Sequence, residues 1–330
     1  MHDQNNIPDD ESAELTSRIE KSALVSEDFC GRRLDQVAAE LFEEFSRSRI
    51  QQWIKSGQLR VNGEVQAPKQ KLLGGERLHI SAQLEQQGEW LPENLPLNIL
   101  YEDEQLIVID KAANSVVHPG AGNHRGTLLN GLLGHCPQLI AVPRAGIVHR
   151  LDKDTTGLMV VAKTLEAHTD LVNQLQARSV ERIYQAIVHG VVTGSGRVDQ
   201  PMGRHPKQRV KMAVVANGKP AQTNYQVIQR YTEHSHLRLK LETGRTHQIR
   251  VHMAHLGYPL VGDSLYGRRN QSASRASLQL AETIENFDRQ ALHAVELGFV
   301  HPASGEPVNF SSPLPADFVA LVEALADDQR

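Results

Sequence analysis

At roughly 150 residues per domain, the 330 residues make room for two domains with a sizeable core. Hydrophobic residues at 40% and charged residues at 22% exclude wholesale disorder, and no apolar run approaches the roughly 18 residues of a membrane span. The first 28 residues are acidic and polar where a secretory leader is basic and then apolar, and two cysteines, Cys30 and Cys136, are too few for a disulfide framework or a thiolate zinc site. A cytoplasmic chain is expected, with no membrane partner.

The formal net charge of −4 conceals an asymmetry. Residues 1–28 carry eight acids against two bases, and residues 316–330 carry four against one, so the body between them is net basic. Phe45 to Lys71 holds six Lys or Arg against one Glu, and Gly203 to Arg250 holds ten against two. Two basic patches on a chain with acidic ends point to a nucleic-acid partner more than to solvated faces.

In chain order, residues 1–28 lack periodicity and are expected to be a disordered acidic arm. Leu34, Val37, Ala38, Leu41 and Phe45 then recur at helical spacing. Ser46 suits the N-cap of a second helix that turns Ile50, Trp53 and Ile54 inward and ends at Gly57. Asn62-Gly63, between Leu59–Val61 and Glu64-Val65, is the dipeptide of a two-residue hairpin turn. Two helices and a hairpin therefore make one unit over 29–82, with Arg47, Arg49, Lys55 and Arg60 on or after its second helix as candidate RNA contacts.

Residues 83–96, polar with two prolines, read as a linker. From Leu97 onward short strand-like runs occur at Leu97–Tyr101, Leu106–Ile109, Leu158–Ala162, Ile183–Val188 and Leu237–Leu241, with helical patterns at Thr127–Leu133, Ala167–Leu175 and Thr246–Leu256. The irregular alternation predicts an α+β domain over 97–315 with a mainly antiparallel sheet, and an acidic helix or tail over 316–330.

Two segments carry candidate chemistry. Gly146 to Lys163 runs from a short apolar strand into His149-Arg150-Leu151-Asp152-Lys153-Asp154, then through Thr155-Thr156-Gly157 into a second strand. Neighbouring positive charge favours the carboxylate form of an Asp, which suits a nucleophile or base, whereas an isolated D-x-D turn would only cap backbone amides. His-Arg-Leu-Asp is not the kinase His-Arg-Asp-Leu, and Gly120, Gly122 and Gly126 have the wrong spacing for a dinucleotide fingerprint. In Glu242 to Tyr266, Thr246 suits an N-cap, which would set Arg245 at a helix N-terminus able to hold a phosphate or the Asp152 carboxylate. His247, His252 and His255 are not spaced as zinc ligands, so no metal is expected.

The segment GRRLDQVAAELFEEFSRSRIQQWIKSGQLRVNG resembles the S4 RNA-binding domain in its Arg-Leu-Asp, Ser-Arg-Ser and Val-Asn-Gly. HRLDKDTTG at 149–157, Tyr184 in ERIYQA and GRTHQIR at 244–250 resemble the pseudouridine synthases of the RluA family. That resemblance implies isomerisation of selected uridines in large-subunit (23S) ribosomal RNA by a monomer. Catalytic roles are implied for Asp152, for Tyr184 stacked on the base, and for Arg245 holding the carboxylate. His149, Arg150, Lys153, His247 and Arg250 are expected at the RNA. Because the reaction gains and loses no atom, no cofactor is implied. Asp152 could attack C1′ or take a proton at C2′. An assembly factor without turnover and a sibling acting on transfer RNA are the alternatives, which mapping of pseudouridines with and without the protein separates.

Overall fold

A computed structural model describes residues 18–43, 45, 47–83, 90–119, 123, 125–208, 210–267 and 276–329, which divide into two compact units meeting in sequence at Gln86/Gln87. The expected Ser46 cap lies outside the described residues, as do Gly120, Gly122 and the first 17 residues of the acidic arm.

The N-terminal unit contains β1 (Arg18–Leu24), α1 (Leu34–Leu41), α2 (Arg47–Ser56), β2 (Leu59–Val61) and β3 (Arg77–Gln83). Leu34, Val37, Ala38, Ile50, Trp53 and Ile54 are buried, and Phe45 meets Trp53 edge-on at 4.8 Å. The sheet order is β1-β3-β2, all antiparallel. The expected arm therefore ends early: Arg18–Leu24 pairs along its whole length with β3. Asn62 and Gly63 take the positive φ values of 51° and 85° that their turn requires. The turn closes through one bridge from Val61 to Glu64, but no hairpin ladder follows. Leu59 and Val61 pair instead with Ile80 and Leu78, which bury the alternate apolar side chains that Glu64-Val65 would leave exposed.

The second unit holds a nine-stranded sheet. Its strands are β4 (Ile99–Glu102), β5 (Leu106–Lys111), β6 (Thr156–Ala162), β7 (Glu181–His189), β8 (Gly196–Asp199), β11 (Gln222–Arg230), β12 (His234–Leu241), β13 (Leu292–Val300) and β14 (Pro307–Ser311). A separate two-stranded ribbon pairs β9 (Met202–Arg204) with β10 (Met212–Val214). The order is β4-β5-β6-β13-β7-β12-β11-β8, with β14 on β13; only β6 and β13 run parallel. The helices are α3 (Leu128–His135), α4 (Leu165–Ala177), α5 (Gln248–His255), α6 (Leu278–Glu285) and α7 (Ala316–Asp327). Helices α3 and α5 share one apolar core with Ile107, Met159, Val161 and Leu239, while α4 shares another with Leu106, Leu158 and Leu297. Covered on both faces, β6 buries all seven residues.

Two boundaries differ from the sequence reading. The predicted linker is ordered against α3 from Trp90: Glu93 donates its amide to the Asn130 carbonyl at 2.9 Å, and Asn130 donates its side chain to the Leu91 carbonyl at 2.8 Å. Gly134 permits this approach, since a Cβ there would lie 2.1 Å from the Glu93 carbonyl oxygen. The expected strand before His149 is reduced to one bridge, Ile147 to Val161, because Arg144, Ala145 and Gly146 turn the chain through left-handed backbone. Residues 316–327 form α7, which buries Phe318, Leu321 and Leu325. Among the described residues no helix is long and apolar enough to cross a membrane.

Candidate active site

Asp152 stands in the loop that enters β6, and three groups from elsewhere in the fold anchor that loop. Buried Lys111 at the end of β5 donates all three of its ammonium protons, to the carbonyls of Ala112 at 2.8 Å, Ser115 at 3.0 Å and Lys153 at 2.8 Å. Burial pulls the Lys111 pKa down to about 8 against the opposing pull of Asp154 and Asp152, so the ammonium is still charged at neutral pH. Gln290 donates to the Thr155 hydroxyl at 2.9 Å, and Arg289 reaches the Asp154 carbonyl at 3.4 Å.

The Asp152 side chain is 14% exposed. Its Oδ2 accepts from Arg250 Nη1 at 3.0 Å. Arg250 uses its other edge on Asp263, Nε to Oδ2 at 2.7 Å and Nη2 to Oδ1 at 2.9 Å, while Asp263 Oδ1 also accepts the amides of Leu265 and Tyr266. Burial disfavours the guanidinium, yet Asp263 and Asp152 together raise its pKa above the ordinary arginine value. One buried cation is thus fixed by a structural carboxylate and presents its remaining edge to Asp152.

His247 faces the other Asp152 oxygen, Nε2 to Oδ1 at 3.8 Å. The Tyr266 hydroxyl accepts the Met212 amide at 2.8 Å and lies 2.7 Å from His247 Nδ1. Burial pushes the His247 pKa down, with Asp152 pulling it up. The ring is neutral at pH 7, and its Nε2 faces Asp152 beyond hydrogen-bond distance.

On β7, Tyr184 lies 5% exposed and shares a cavity of about 570 Å³ with Asp152, Arg150, Arg182 and Arg245. Burial pushes its hydroxyl up to about 12, with Arg182 pulling it down and Asp152 pushing it further up. At neutral pH it is a protonated phenol, a flat apolar wall with a donor at its edge.

Beside this geometry stand the similarities of the chain to known proteins. The family model described as RNA pseudouridylate synthase matches residues 105–255, and the S4 domain model matches residues 32–78. The ribosomal large subunit pseudouridine synthase D of Pseudomonas aeruginosa is 57% identical over 316 residues, covering 96% of this chain and 99% of its own. The chain belongs to the RNA pseudouridylate synthase family. The protein of the same name from Escherichia coli (strain K12) is 51% identical over 315 residues, 95% of this chain and 97% of its own. Human RNA Pseudouridylate Synthase Domain Containing 4 superposes with a TM-score of 0.55 at 28% identity, over 69% of this chain and 93% of that one.

Within this synthase, the two arginines expected to divide the work exchange places. Arg245 is exposed, and its Nε donates to the Pro220 carbonyl at 3.1 Å, whereas Arg250, expected at the RNA, is 7% exposed and holds Asp152. The cause is where α5 begins. Thr246 does not cap it; His247 does, in left-handed backbone with φ 57°, so the first inward turn brings Arg250 to the carboxylate. The Gln248 side chain fixes that start, accepting from Thr243 Oγ1 at 2.8 Å and the Arg245 amide at 3.0 Å, and donating to the Gln222 carbonyl at 2.9 Å.

The other expected RNA contacts divide. His149 is occupied in accepting the Val160 amide at 3.1 Å, and burial pulls its pKa down to about 3, with Arg182 adding to the effect. His252, one of the three histidines not spaced as zinc ligands, is likewise buried, between Thr223 and the Gln200 carbonyl. Arg150 and Lys153 are exposed. In the N-terminal unit Lys55 and Arg60 are exposed, Arg47 is tied to Asp35 at 2.9 Å, and Arg49 is only 6% exposed with its guanidinium 6.0 Å from the Trp53 ring. Arg49 is therefore a packing residue, its stem drawn in beside the tryptophan. Among the described residues no three His, Cys, Asp or Glu side chains gather as metal ligands.

Proposed function

We propose that this chain converts selected uridines of large-subunit ribosomal RNA to pseudouridine, with the Asp152 carboxylate acting at the ribose. The substrate class follows from the names of the relatives, which match nearly the whole chain. The observation that carries the chemistry is the incompletely satisfied carboxylate: one oxygen accepts a hydrogen bond from Arg250 at 3.0 Å, while the other faces neutral His247 at 3.8 Å beside the cavity. In the reaction the N1–C1′ bond breaks, the base turns, C5 joins C1′, and the C5 proton is lost as N1 gains one. Asp152 enters as nucleophile at C1′, trapped as a ribosyl ester, or as base at C2′, leaving a glycal. The neutral Tyr184 ring suits stacking against a uracil drawn out of its helix, and exposed Arg150 suits the space the base vacates. Lys55 and Arg60 suit phosphate contacts in the S4 unit. The rearrangement is internally balanced and asks for no cofactor, and the chain works as a monomer in the cytoplasm on ribosomal RNA or its precursor particle.

The test is Asp152→Asn, which removes charge and keeps shape. Pseudouridines mapped in 23S RNA should be lost at this enzyme's sites, with RNA affinity within a few-fold of wild type. Measurable turnover by that variant would take the chemistry away from Asp152.

A further inference from the structure

The reaction as derived leaves one buried cation of the cavity unused. Arg182 lies two residues before Tyr184 on β7, so both side chains leave the same face of the sheet about 7 Å apart along the strand. The residue is 7% exposed; its Nη2 reaches the Leu241 carbonyl at 3.5 Å, and its Nε has no hydrogen-bond partner. The neighbouring acids are engaged elsewhere: Glu181 pairs with Lys240 at 2.8 Å, and Glu242 accepts from Asn224 at 2.8 Å. A buried guanidinium with an unmade bond is costly unless an anion arrives to complete it.

The surroundings repeat the charge. Arg144, Arg150, Arg178 and Arg245 line the same cavity, and its acids are only Glu242 and the Arg250-bound Asp152. Arg178 is the left-handed cap that ends α4 at φ 60°, and Arg144 lies in the left-handed turn before Ile147, so both come to the cavity from chain reversals. Gly244 keeps the place of the Arg182 head group, since a Cβ there would lie 2.8 Å from Nη1.

We propose that Arg182, with Arg144 and Arg178 lining the same cavity, binds a backbone phosphate beside the target nucleotide. The inference rests on the pseudouridine synthase reading. A phosphate fits better than a uracil oxygen, because a desolvated full positive charge is best met by a full negative one, and the planar guanidinium matches phosphate geometry.

The experiment is single-turnover pseudouridine formation by the full chain on unmodified large-subunit ribosomal RNA transcribed in vitro, at several KCl concentrations. Arg182→Met should raise the half-saturating enzyme concentration by about ten- to a hundredfold and flatten the log–log salt dependence by about 0.7, the share of one phosphate contact on a single strand. The rate at saturation should stay within several-fold of wild type, and Arg182→Lys should keep the salt slope. A weakened but equally salt-dependent complex would overturn the proposal in favour of a contact to the base. So would a lost rate at unchanged half-saturation, which would make Arg182 part of the chemistry. If Arg182→Met fails to fold by circular dichroism, Gly244→Ala carries the test: it displaces the guanidinium and should raise half-saturation several-fold, and no change overturns the proposal. Wild-type enzyme that forms no pseudouridine in this RNA would instead overturn the functional reading itself.

Discussion

Asp35 in the N-terminal unit and Asp152 in the catalytic unit are both held by arginine, and the two are built to different ends. Asp35 in the N-terminal unit is fully buried and saturated: Arg33 donates twice at 3.0 Å, Arg47 at 2.9 Å and Gln51 at 2.6 Å. Burial alone would raise its pKa, but the donors from Arg47, Gln51 and Arg33 hold it down at about 2. Asp152 has one guanidinium donor, a neutral imidazole beyond hydrogen-bond distance, and an open side towards a cavity. A carboxylate whose lone pairs are all taken can only hold structure together. One held on a single side keeps electron pairs for a substrate, and the remote anchors Asp263 and Lys111 supply the rigidity that its own bonds do not.

The largest expected effect comes from the shared cation of the open site. Arg250→Met removes the donor to Asp152 and leaves Asp263 buried without its partner. The single-turnover rate of the folded fraction should fall about 10²- to 10³-fold, the usual cost of losing one preorganised donor. Arg245→Met should stay within about tenfold, because that side chain is exposed and bonded to a backbone carbonyl. Equal losses in the two variants would contradict the division of roles drawn from their positions.

The saturated site should respond in stability and not in rate. Asp35→Ala removes the acceptor shared by Arg33, Arg47 and Gln51 and leaves a small buried space; because both guanidiniums are partly solvated, the cost is about 1–3 kcal/mol. Urea unfolding followed by hydrogen exchange should show protection lost over 34–61, with turnover at saturating RNA preserved. A fall in the saturated rate as large as that of Arg250→Met would show that the N-terminal carboxylate reaches the chemistry.

What the sequence made legible was what neighbours in the chain decide. Asn62-Gly63 turns because those two residues tolerate positive φ, and 149–157 reads as a site because its charges crowd between apolar runs. The roles of Arg245 and Arg250 were not legible, because they depend on where α5 starts, and Gln248 sets that through groups on or beside β11 and β12. Lys111 reaches the loop from 42 positions away. The strand β13, which joins β6 to β7, escaped because His293, Glu296 and Gly298 interrupt its apolar run. In the fold these fit: His293 lies 2.8 Å from the Thr156 hydroxyl, Glu296 pairs with Arg238 at 2.6 Å, and Gly298 leaves room for the Asn309 side chain.

Acid separates the two units most gently. In the catalytic unit burial lowers the pKa of His118, His234 and His236 from 6.5 to about 4, with Arg150 and Arg144 adding to the effect at His118 and His189 adding at His234. Their unfolded forms bind a proton between pH 6.5 and about 4 while the folded forms resist it, so stability is complete above pH 6.5 and declines as pH falls through that window. Each such histidine lowers the unfolding free energy by at most about 1.4 kcal/mol per pH unit. Asp35 works in another window: its folded pKa of about 2 lies below the unfolded 3.8, so its contribution is intact above 3.8 and is lost only on going down towards 2. Between pH 6 and 4.5 the catalytic unit should therefore lose stability while the Asp35 cluster loses none. Hydrogen exchange of the intact chain at those two pH values, corrected for intrinsic rates, should show protection falling in β7, β12 and α7 but not in α1 and α2. Replacing His236, which packs at 5.7 Å on Phe318 of α7, by Phe should remove part of that fall. Equal loss in both units would mean that acid acts through net charge and not through these buried rings.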